Sequence, residues 1–457
     1  MGPDPKHAPM LSISQAEQRA AALVEAARKA GADAADVLYC GDASTSLQVR
    51  LGGLEDVQRS EGEEIGLRLF VGRRSATVSS SDLSKDALTA LVDRAAAMAR
   101  EAPEDPYAGL APSDRLLREA GPDVDGDDGG DPLPAELKAR ALAMEEVARA
   151  AKGITNSDGA SASAGRSVIA LATSGGFCRG YTNTGYNASV GVIAGSGGGM
   201  QRDWASHSAR HLADLDGPEE LGRLAAERVV AKLDPGKLRS GAMPVLFDPR
   251  VGSSLIGHLV GAIAGAMIAR KTSFLLDRKG EAVFPPTVTV RDDPHRVRGL
   301  RSRPFDGEGV ATQPLDIIAE GRLTGWLLDS ASARQLGLEP TGHATRGVGG
   351  SPGSGASNVD LLPGTISKEQ LIRETGDGVY VTELIGQGVN LVTGDFSRGA
   401  SGFVIRNGEL ATPVAEITIA GNLSDMFARL TAADDLEHRR VANAPTLRID
   451  GMTVAGA

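Results

Sequence analysis

Apolar residues in the first hundred positions recur first at helical and then at strand spacing. A first helix is predicted over residues 14–31, where Ser14 and Glu17 have the spacing of a capping box. Residues 36–80 consist of short alternating runs separated by glycines, which predicts an antiparallel meander. Apolar positions at helical spacing return over residues 84–101. One helix, several strands and a second helix predict an α+β unit.

Proline, glycine and aspartate dominate the segment that follows this unit. Residues 123–131 read D-V-D-G-D-D-G-G-D, a composition that resists burial. The aspartate spacing is that of a calcium loop, but Asp128 replaces the glycine of the sixth position and Pro134 the glutamate of the twelfth. We therefore interpret residues 116–134 as a solvated acidic linker.

The next unit begins and ends with predicted helices, at residues 134–152 and 219–233, with strand-like runs between them. His207 and His211 are four residues apart, as in a helical metal-binding pair, but their segment fits a strand equally well. No glutamate adjoins His207 and no third ligand is evident, so we do not expect a metal site here.

An uncharged apolar segment extends over residues 251–269. Its length is close to that of a membrane span, but its serines, its histidine and its many small residues favour a helix buried in the protein or at a subunit interface. Gly257, Gly261 and Gly265 recur every fourth position and predict a helix face that a second backbone approaches closely. The side chain in this segment best suited to polar chemistry is His258.

The chain beyond this helix is rich in short strands and tight turns. Glu320-Gly321 and Asn407-Gly408 each join two strand-like runs, and Asn-Gly is a strong hairpin signal. Short helices are predicted at residues 367–375 and 423–430. The predicted fold class is α+β: N-terminal α/β units with antiparallel meanders, then a β-rich C-terminal domain packed on the glycine-laddered helix.

These patterns divide the chain into four segments. We predict an N-terminal α+β domain at residues 1–115, the linker at 116–134, a middle α+β domain at 135–237 and a C-terminal β-rich domain at 238–457. The length of 457 residues is ample for several domains of the usual size, roughly 100–200 residues each.

Composition limits the classes of function. A net charge of −11 argues against a surface that follows nucleic-acid phosphates. The 2 cysteines are too few for a disulfide framework or a thiolate metal cage. Because the N-terminus lacks the apolar core of a secretory signal, we expect a cytoplasmic protein with no membrane and no nucleic-acid partner.

Several sequence blocks carry a resemblance to a known family. They read S-S-L-I-G-H-L-V-G-A-I-A-G, R-K-T-S-F-L-L-D, P-F-D-G-E-G-V, D-I-I-A-E-G-R-L-T-G-W-L-L-D, V-T-E-L-I-G-Q-G-V-N-L-V-T-G-D-F-S-R-G-A-S-G-F and E-I-T-I-A-G-N-L-S-D-M. In this order they closely resemble the TldD/PmbA family, also called modulators of DNA gyrase and classed among metallopeptidases. The similarity is greatest to its PmbA, or TldE, branch, and it covers nearly the whole chain.

The resemblance has a specific consequence for His258. The TldD branch bears a zinc helix H-E-x-x-x-H, in which two histidines hold the metal and the glutamate is the general base. This chain reads H-L-V-G-A-I, so Leu259 stands at the place of the base and Ile263 at that of the second histidine. TldD-like proteins also have a ligand cysteine near the C-terminus, which is missing here. The resemblance implies a remnant zinc helix, with no catalytic residue and no metal ligand.

The resemblance further implies a non-catalytic TldE-type subunit of a metallopeptidase that matures or degrades unfolded peptides. A TldD-type catalytic subunit would be its partner in a heterodimer and would hold the zinc, and we expect a homodimer when the chain is alone. The candidates for contact with peptide or partner are Gly257, Gly261, Gly265, Gln387 and Arg398.

Two alternatives remain open. The chain is an independent peptidase or hydrolase if polar residues such as His343, Asp395 and Ser397 or Ser401 form a catalytic group, although glycine-flanked polar residues commonly satisfy turns. It is a gyrase-modulating binding protein if the older family name describes a direct contact.

Overall fold

The structure, a computed structural model, describes residues 10–456. Its helices are α1 Ile13–Lys29, α2 Lys85–Glu101, α3 Pro134–Ala150, α4 Pro218–Ala231, α5 Pro249–Ala262, α6 Gly265–Ala269, α7 Ser330–Leu336, α8 Lys368–Thr375 and α9 Leu423–Ala428. Its strands are β1 Ala34–Arg50, β2 Gly53–Val71, β3 Arg74–Ser80, β4 Ile154–Thr173, β5 Cys178–Ala194, β6 Gln201–Ala209, β7 Gly241–Phe247, β8 Val290–Asp292, β9 Leu315–Ala319, β10 Arg322–Leu323, β11 Ala344–Thr345, β12 Gly353–Ser354, β13 Val359–Leu361, β14 Gly378–Ile385, β15 Asp395–Arg406, β16 Glu409–Asn422, β17 Leu430–Ala432, β18 Ala442–Asn443 and β19 Leu447–Ala455.

The first six strands form one antiparallel sheet in the order β3-β2-β1-β4-β5-β6. The predicted N-terminal and middle units contribute three strands each, because β1 pairs with β2 on one side and with β4 on the other. Strands β1 and β2 have 17 and 19 residues, where the sequence suggested several short runs. Gly62 does not end a strand as expected, since it stays in register opposite Asp42.

The start of α1 differs from the sequence prediction in its cap. The capping box expected at Ser14 and Glu17 is wrong, because Ser12 and Gln15 form it two residues earlier. The Gln15 amide donates to the Ser12 hydroxyl at 3.4 Å, and the Ser12 amide donates to the Gln15 side chain at 3.0 Å. A glutamine satisfies the exposed amide of the helix end as well as a glutamate does.

The helices α1 to α4 all cover the same face of this sheet. Helices α1 and α2 pack on Val37 of β1, whereas α3 and α4 pack on Leu47 and Val49 of the same strand. These odd-numbered positions share one face because side chains alternate along a strand. The other face carries Leu38 and is covered by the C-terminal domain, whose Phe305 belongs to the same apolar cluster.

The C-terminal domain contains a closed barrel of five strands in the order β16-β15-β14-β7-β19. The ring closes where β19 pairs with β16, with Ala455 opposite Thr418. Helix α5 packs between this barrel and a second sheet, β10-β9-β8-β13-β18, since its Leu255 shares one core with Phe247 of the barrel and Val359 of that sheet. The predicted α+β class, with a β-rich C-terminal domain on this helix, is confirmed.

The uncharged segment forms two helices and not one. Between α5 and α6 the backbone of Ala264 is extended, and the Gly265 amide donates to the Leu327 carbonyl at 2.8 Å. This hydrogen bond ties the segment to the chain before α7 and redirects it. Within residues 10–456, none of the helices has the combination of length and apolar character needed to cross a membrane.

The three glycines of this segment consequently do not form a continuous ladder. A side chain at Gly257 would meet open space, and one at Gly261 would lie 3.1 Å from Leu391. Only at Gly265, where a β-carbon would collide with Ser332 of α7, does the absence of a side chain allow a close approach. The interruption at Ala264 is the physical reason, because it rotates the third glycine away from the other two.

Both predicted tight turns are present. Glu320 and Gly321 join β9 to β10 with φ values of 47° and 80°. Asn407 and Gly408 join β15 to β16 with φ values of 50° and 77°. Positive φ at both central residues is the turn geometry that matches the twist of a hairpin.

A buried group of charges links the N-terminal sheet to the C-terminal domain. Asp36 of β1 binds the guanidinium groups of Arg68 of β2 and Arg346 of the C-terminal domain, the latter at 2.6 Å. Arg68 also reaches Glu308 at 3.5 Å. Burial raises the pKa of the Asp36 carboxyl, but Arg68 and Arg346 outweigh this effect and leave the pKa lowered.

Replacing Asp36 tests this link. Asp36→Asn is expected to destabilise the fold by about 3–5 kcal/mol, because it leaves the buried Arg346 without its carboxylate and Arg68 with only the more distant Glu308. Chemical denaturation measures the loss. Since the folded pKa is lowered, the stabilisation by Asp36 is present above the ordinary aspartate pKa and disappears as the pH falls through the folded value.

The control is Glu227→Gln, which removes an exposed pair with Arg223 on α4. That change should cost no more than about 0.5 kcal/mol. Equal stability of the Asp36 variant and the control would contradict the assigned role of the buried group.

Candidate functional site

His258 lies on α5, half-buried, with its ring edge-on to Phe396 of β15 at a centroid distance of 6.2 Å. Its Nε2 atom is buried and has no hydrogen-bond partner among residues 10–456. Burial lowers the pKa of the imidazole, and the guanidinium of Arg398 lowers it further. A neutral ring against an aromatic edge is therefore the favoured state at neutral pH.

Leu259 and Ile263 belong to the core of the C-terminal domain. Both side chains are 0% exposed and lie in the apolar cluster formed by the barrel, α5 and the second sheet. Ile263 caps the end of α5, where its amide donates to the Leu259 carbonyl at 3.1 Å. The positions that correspond to a general base and a second histidine therefore serve packing.

The residues around His258 do not fit a zinc ion. The groups that act on the His258 ring are the aromatic ring of Phe396 and the cationic Arg398, which would repel a second cation. No group of three histidine, cysteine, aspartate or glutamate side chains within residues 10–456 is arranged to hold a metal. One imidazole is a poor site for a metal that takes three or four protein ligands.

Four of the five residues predicted to contact peptide or partner lie on α5, on β15 or in the loop at residues 386–394, and the last two elements both contact α5. Gly257 is exposed, and Gly261 lies under Leu391 of the loop at residues 386–394. Gln387 is exposed in that loop, next to Gly388, whose carbonyl accepts a hydrogen bond from the Ser397 amide. Arg398 follows on β15, with its Nε atom buried and unbonded.

The fifth residue, Gly265, is buried against α7 and faces away from this surface. Two large apolar side chains, Ile385 and Val392, are exposed in the same region, at 55% and 52%. We name the group Gly257, His258, Gly261, Ile385, Gln387, Val392 and Arg398 the α5 surface. Exposed apolar side chains beside an unpaired guanidinium are typical of a surface that contacts another molecule.

The alternative catalytic group is not assembled. His343 is buried and bonds Asp292 through Nε2 at 3.1 Å and Thr341 through Nδ1 at 2.9 Å. Asp395 instead accepts a hydrogen bond from Thr393 at 2.6 Å. His343 is therefore committed to a buried network with Asp292 and Thr341, and Asp395 is not its partner.

The two histidines of the candidate metal pair also have separate partners. His207 lies on β6 and contacts Asp216 at 3.0 Å, whereas His211 follows the strand and contacts Asp125. Because β6 is a strand, a spacing of four does not place the two rings side by side as it would on a helix.

A cavity of about 830 Å³, whose lining includes no residue of the α5 surface, lies between the N-terminal sheet and the C-terminal domain. The sequence analysis did not identify it, because its walls come from segments far apart in the chain. The available signal was the presence of Cys40 and Asp42 on alternate positions of β1, opposite the positions that face the helices.

Comparisons with known proteins agree with this fold. Three family models match consecutive parts of the chain: domain 1 of the PmbA/TldA metallopeptidases at residues 35–99, their central domain at 127–233 and their C-terminal domain at 240–456. The chain is 40% identical to the metalloprotease PmbA of Escherichia coli O157:H7 over 455 residues, covering 98% of this chain and 99% of that protein. It is 36% identical to the PmbA homolog of Haemophilus influenzae, with 100% of both chains covered.

Solved structures give the same result. A crystal structure from Bacteroides thetaiotaomicron, described as a modulator of DNA gyrase, has a TM-score of 0.89 and 28% identity, covering 96% of this chain and 99% of that one. TldE from Thermococcus kodakarensis has a TM-score of 0.86, 20% identity and coverage of 95% and 99%, and it shares the fold.

Restoring the family zinc motif tests whether the core requires apolar side chains at positions 259 and 263 of the α5 segment. The double variant Leu259→Glu, Ile263→His is expected to lose at least about 3 kcal/mol of stability, because it buries polar groups in an apolar core. It should also fail to gain stoichiometric zinc. Chemical denaturation and metal analysis of the purified protein measure the two effects.

The matched control is Leu259→Met, which conserves volume and should cost less than about 1.5 kcal/mol. A double variant that folds normally and binds one zinc per chain would show that these positions can be turned toward a metal.

Proposed function

The chain belongs to the PmbA/TldD metallopeptidase family, and from this membership we propose that it is the non-catalytic, TldE-type subunit of a metallopeptidase acting on unfolded peptides. The observation that carries the proposal is the burial of Leu259 and Ile263, both 0% exposed, on the helix where the family's zinc branch has its base and second histidine. In this proposal zinc is held by a TldD-type partner, and the chain itself contributes no catalytic group.

The α5 surface is the part of the chain that we assign to the partner or to the peptide. Its exposed Ile385 and Val392 supply apolar area, and the Nε atom of Arg398 supplies a donor that has no acceptor within residues 10–456. Gly257 leaves the backbone of α5 open to approach. These features support a contact with another protein. In this proposal that protein is the TldD-type subunit of a cytoplasmic heterodimer, and the two subunits together enclose the peptide.

The decisive experiment compares the chain alone with the chain co-expressed with a TldD-type protein. We expect co-purification, zinc in the partner, and cleavage of an unstructured peptide only by the mixture. When the chain carries His258→Phe, the rate of cleavage by the mixture should stay within about twofold of the rate with the unchanged chain. The reason is that the Nε2 atom of His258 has no hydrogen-bond partner among the described residues.

Other outcomes would replace this proposal. One zinc per chain together with cleavage by the isolated protein would establish an independent peptidase. Failure to co-purify, combined with capture of purified gyrase, would favour the gyrase-modulating alternative. A homodimer of the isolated chain is expected, because the α5 surface is then without its partner.

Charge placed on the α5 surface tests the contact directly. Ile385→Lys should weaken the heterodimer on the order of tenfold or more in Kd, because an apolar side chain at the centre of an interface carries much of the binding energy. Titration of labelled chain with the partner measures the change.

Leu54→Lys is the control, since Leu54 has similar exposure, 47%, but lies on β2 in the N-terminal sheet. Equal effects of the two substitutions, or none from Ile385→Lys, would place the interface elsewhere.

A further inference from the structure

The floor of the 830 Å³ cavity is the face of the N-terminal sheet that no helix covers. Its central row runs across four strands: Glu64 on β2 is opposite Cys40 on β1, Cys40 is opposite Ile169 on β4, and Ile169 is opposite Tyr181 on β5. Strands lie about 4.8 Å apart, so this row spans roughly 14 Å from β2 to β5.

Neighbouring rows extend the same face. Two residues along β1, Asp42 is opposite Ser167 of β4, which in turn is opposite Asn183 of β5. In the other direction Leu38 is opposite Leu171. The floor therefore changes from apolar at one side of the central row to polar at the other.

Loops of the C-terminal domain form the roof. The lining includes residues 300–303, 305–307, 345–348 and 355–356. Exposed residues at the edge, among them Asp42, Ser81 and Gly347, connect the cavity with solvent. A molecule can therefore enter without unfolding of either domain.

The β2 end of the cavity is anionic. Burial raises the pKa of the Cys40 thiol, and the adjacent Asp42 and Glu64 carboxylates raise it further. Neither carboxylate takes part in a hydrogen bond or ion pair recorded for residues 10–456. Glu63 also borders the cavity, but its carboxylate is bonded to Tyr39 on the helix-covered face.

The β5 end is cationic. Burial raises the pKa of the Tyr181 phenol, while the guanidinium groups of Arg303 and Arg210 oppose that rise. Arg210 donates to the carbonyls of Thr184 and Leu300, and burial lowers its pKa. No ion pair is recorded for either arginine within the described part of the chain.

Arg303 is the more available of the two cations. Its Nε and Nη2 atoms are buried and lack an acceptor among the described residues. The carboxylate of the nearby Asp306 is already used, because it accepts hydrogen bonds from the amides of Glu308, Val310 and Ala344. A third lining arginine with a buried side chain, Arg346, is bound to Asp36.

We propose that this cavity binds a short peptide with both ends free, its ammonium group at Glu64 and Asp42 and its carboxylate at Arg303 and Arg210. The buried Arg303 nitrogens lack an acceptor among the described residues, which is costly, whereas the half-buried Glu64 and the exposed Asp42 offer carboxylates with no recorded partner. A ligand with one charge of each sign at its two ends would satisfy both groups. An extended chain covers about 3.3–3.6 Å per residue, so a span of roughly 14 Å corresponds to about four residues.

The apolar floor between the two charged ends suits the side chains of such a peptide. The expected ligand is a peptide of about three to five residues with no fixed sequence. This site is separate from the α5 surface, and the inference does not depend on the proposed function, since it needs neither zinc nor a partner.

Calorimetry with the full-length chain and tetra-alanine tests the proposal. We expect binding that weakens on the order of tenfold or more when the peptide is N-acetylated, and again when it is C-amidated, because each change removes a charge-assisted hydrogen bond. Arg303→Gln should reproduce the loss caused by amidation, and Glu64→Gln the loss caused by acetylation.

The matched controls are Arg94→Gln on α2 and Glu25→Gln on α1, both exposed and remote from the cavity. They should leave the affinity unchanged. Thermal unfolding checks that every variant is folded, and Arg303→Gln should be, because its side chain makes no recorded hydrogen bond.

Several results would overturn the proposal. They are the absence of binding by free-ended peptides of two to six residues, equal binding of free and doubly blocked tetra-alanine, and equal binding by the Arg303 and control variants. Binding of acetylated peptides at full strength would also reject it, in favour of a site for simple carboxylates. If the chain binds tetra-alanine but does not form a complex with a TldD-type partner, the proposed function is contradicted and this inference is not.

Discussion

The four helices α1 to α4 pack on one face of the six-stranded sheet, and this leaves the opposite face to be covered by the C-terminal domain. That cover is made of two kinds of contact. Phe305 packs on the apolar end of the face, beside Leu38 and Leu171. Asp36 binds Arg346 from the C-terminal domain. Because the apolar and the charged contacts lie at different points, they fix the orientation of the two halves, and the space that they leave between them is the cavity.

Helix α5 shows how packing limits the chemistry available at one position. The helix lies between a barrel and a second sheet, so most of its circumference must be apolar. Leu259 and Ile263 meet that demand, and only the side carrying Gly257, His258 and Gly261 remains near the surface. A chain that assigns these two positions to its core cannot also use them for a metal, whereas a surface role for the remaining side is compatible with the same packing.

Local patterns predicted the elements better than their connections. Asn407-Gly408 and Glu320-Gly321 specified their hairpins because positive φ is a property of those residues and their neighbours alone. The pairing of β1 with β4 depends on contact between segments more than a hundred residues apart, for which the sequence has no local signal. The break after α5 also depends on a contact distant in sequence, since the Gly265 amide donates a hydrogen bond to the Leu327 carbonyl.

The candidate site was likewise predictable only where its residues are close in the sequence. The resemblance identified His258, Leu259 and Ile263 because all three lie in one short motif. The cavity combines Glu64, Tyr181 and Arg303 only after the sheet register and the covering loops are known. Asp42 and Cys40 on alternate positions of one strand were visible as a pattern, but nothing local showed which face they would share with which neighbours.

The six-stranded sheet has two equivalent halves, β3-β2-β1 and β6-β5-β4, which meet at the β1–β4 pair. Each half comes from a helix, three strands and a helix in chain order. Two copies of one such unit, meeting edge to edge around a two-fold axis, would produce this arrangement as an isologous dimer. The N-terminal half of the chain therefore has the architecture of a tandem duplication fused by its acidic linker. Either copy alone would present a strand of 17 or 20 residues with a bare edge, which would favour pairing with a second copy of itself.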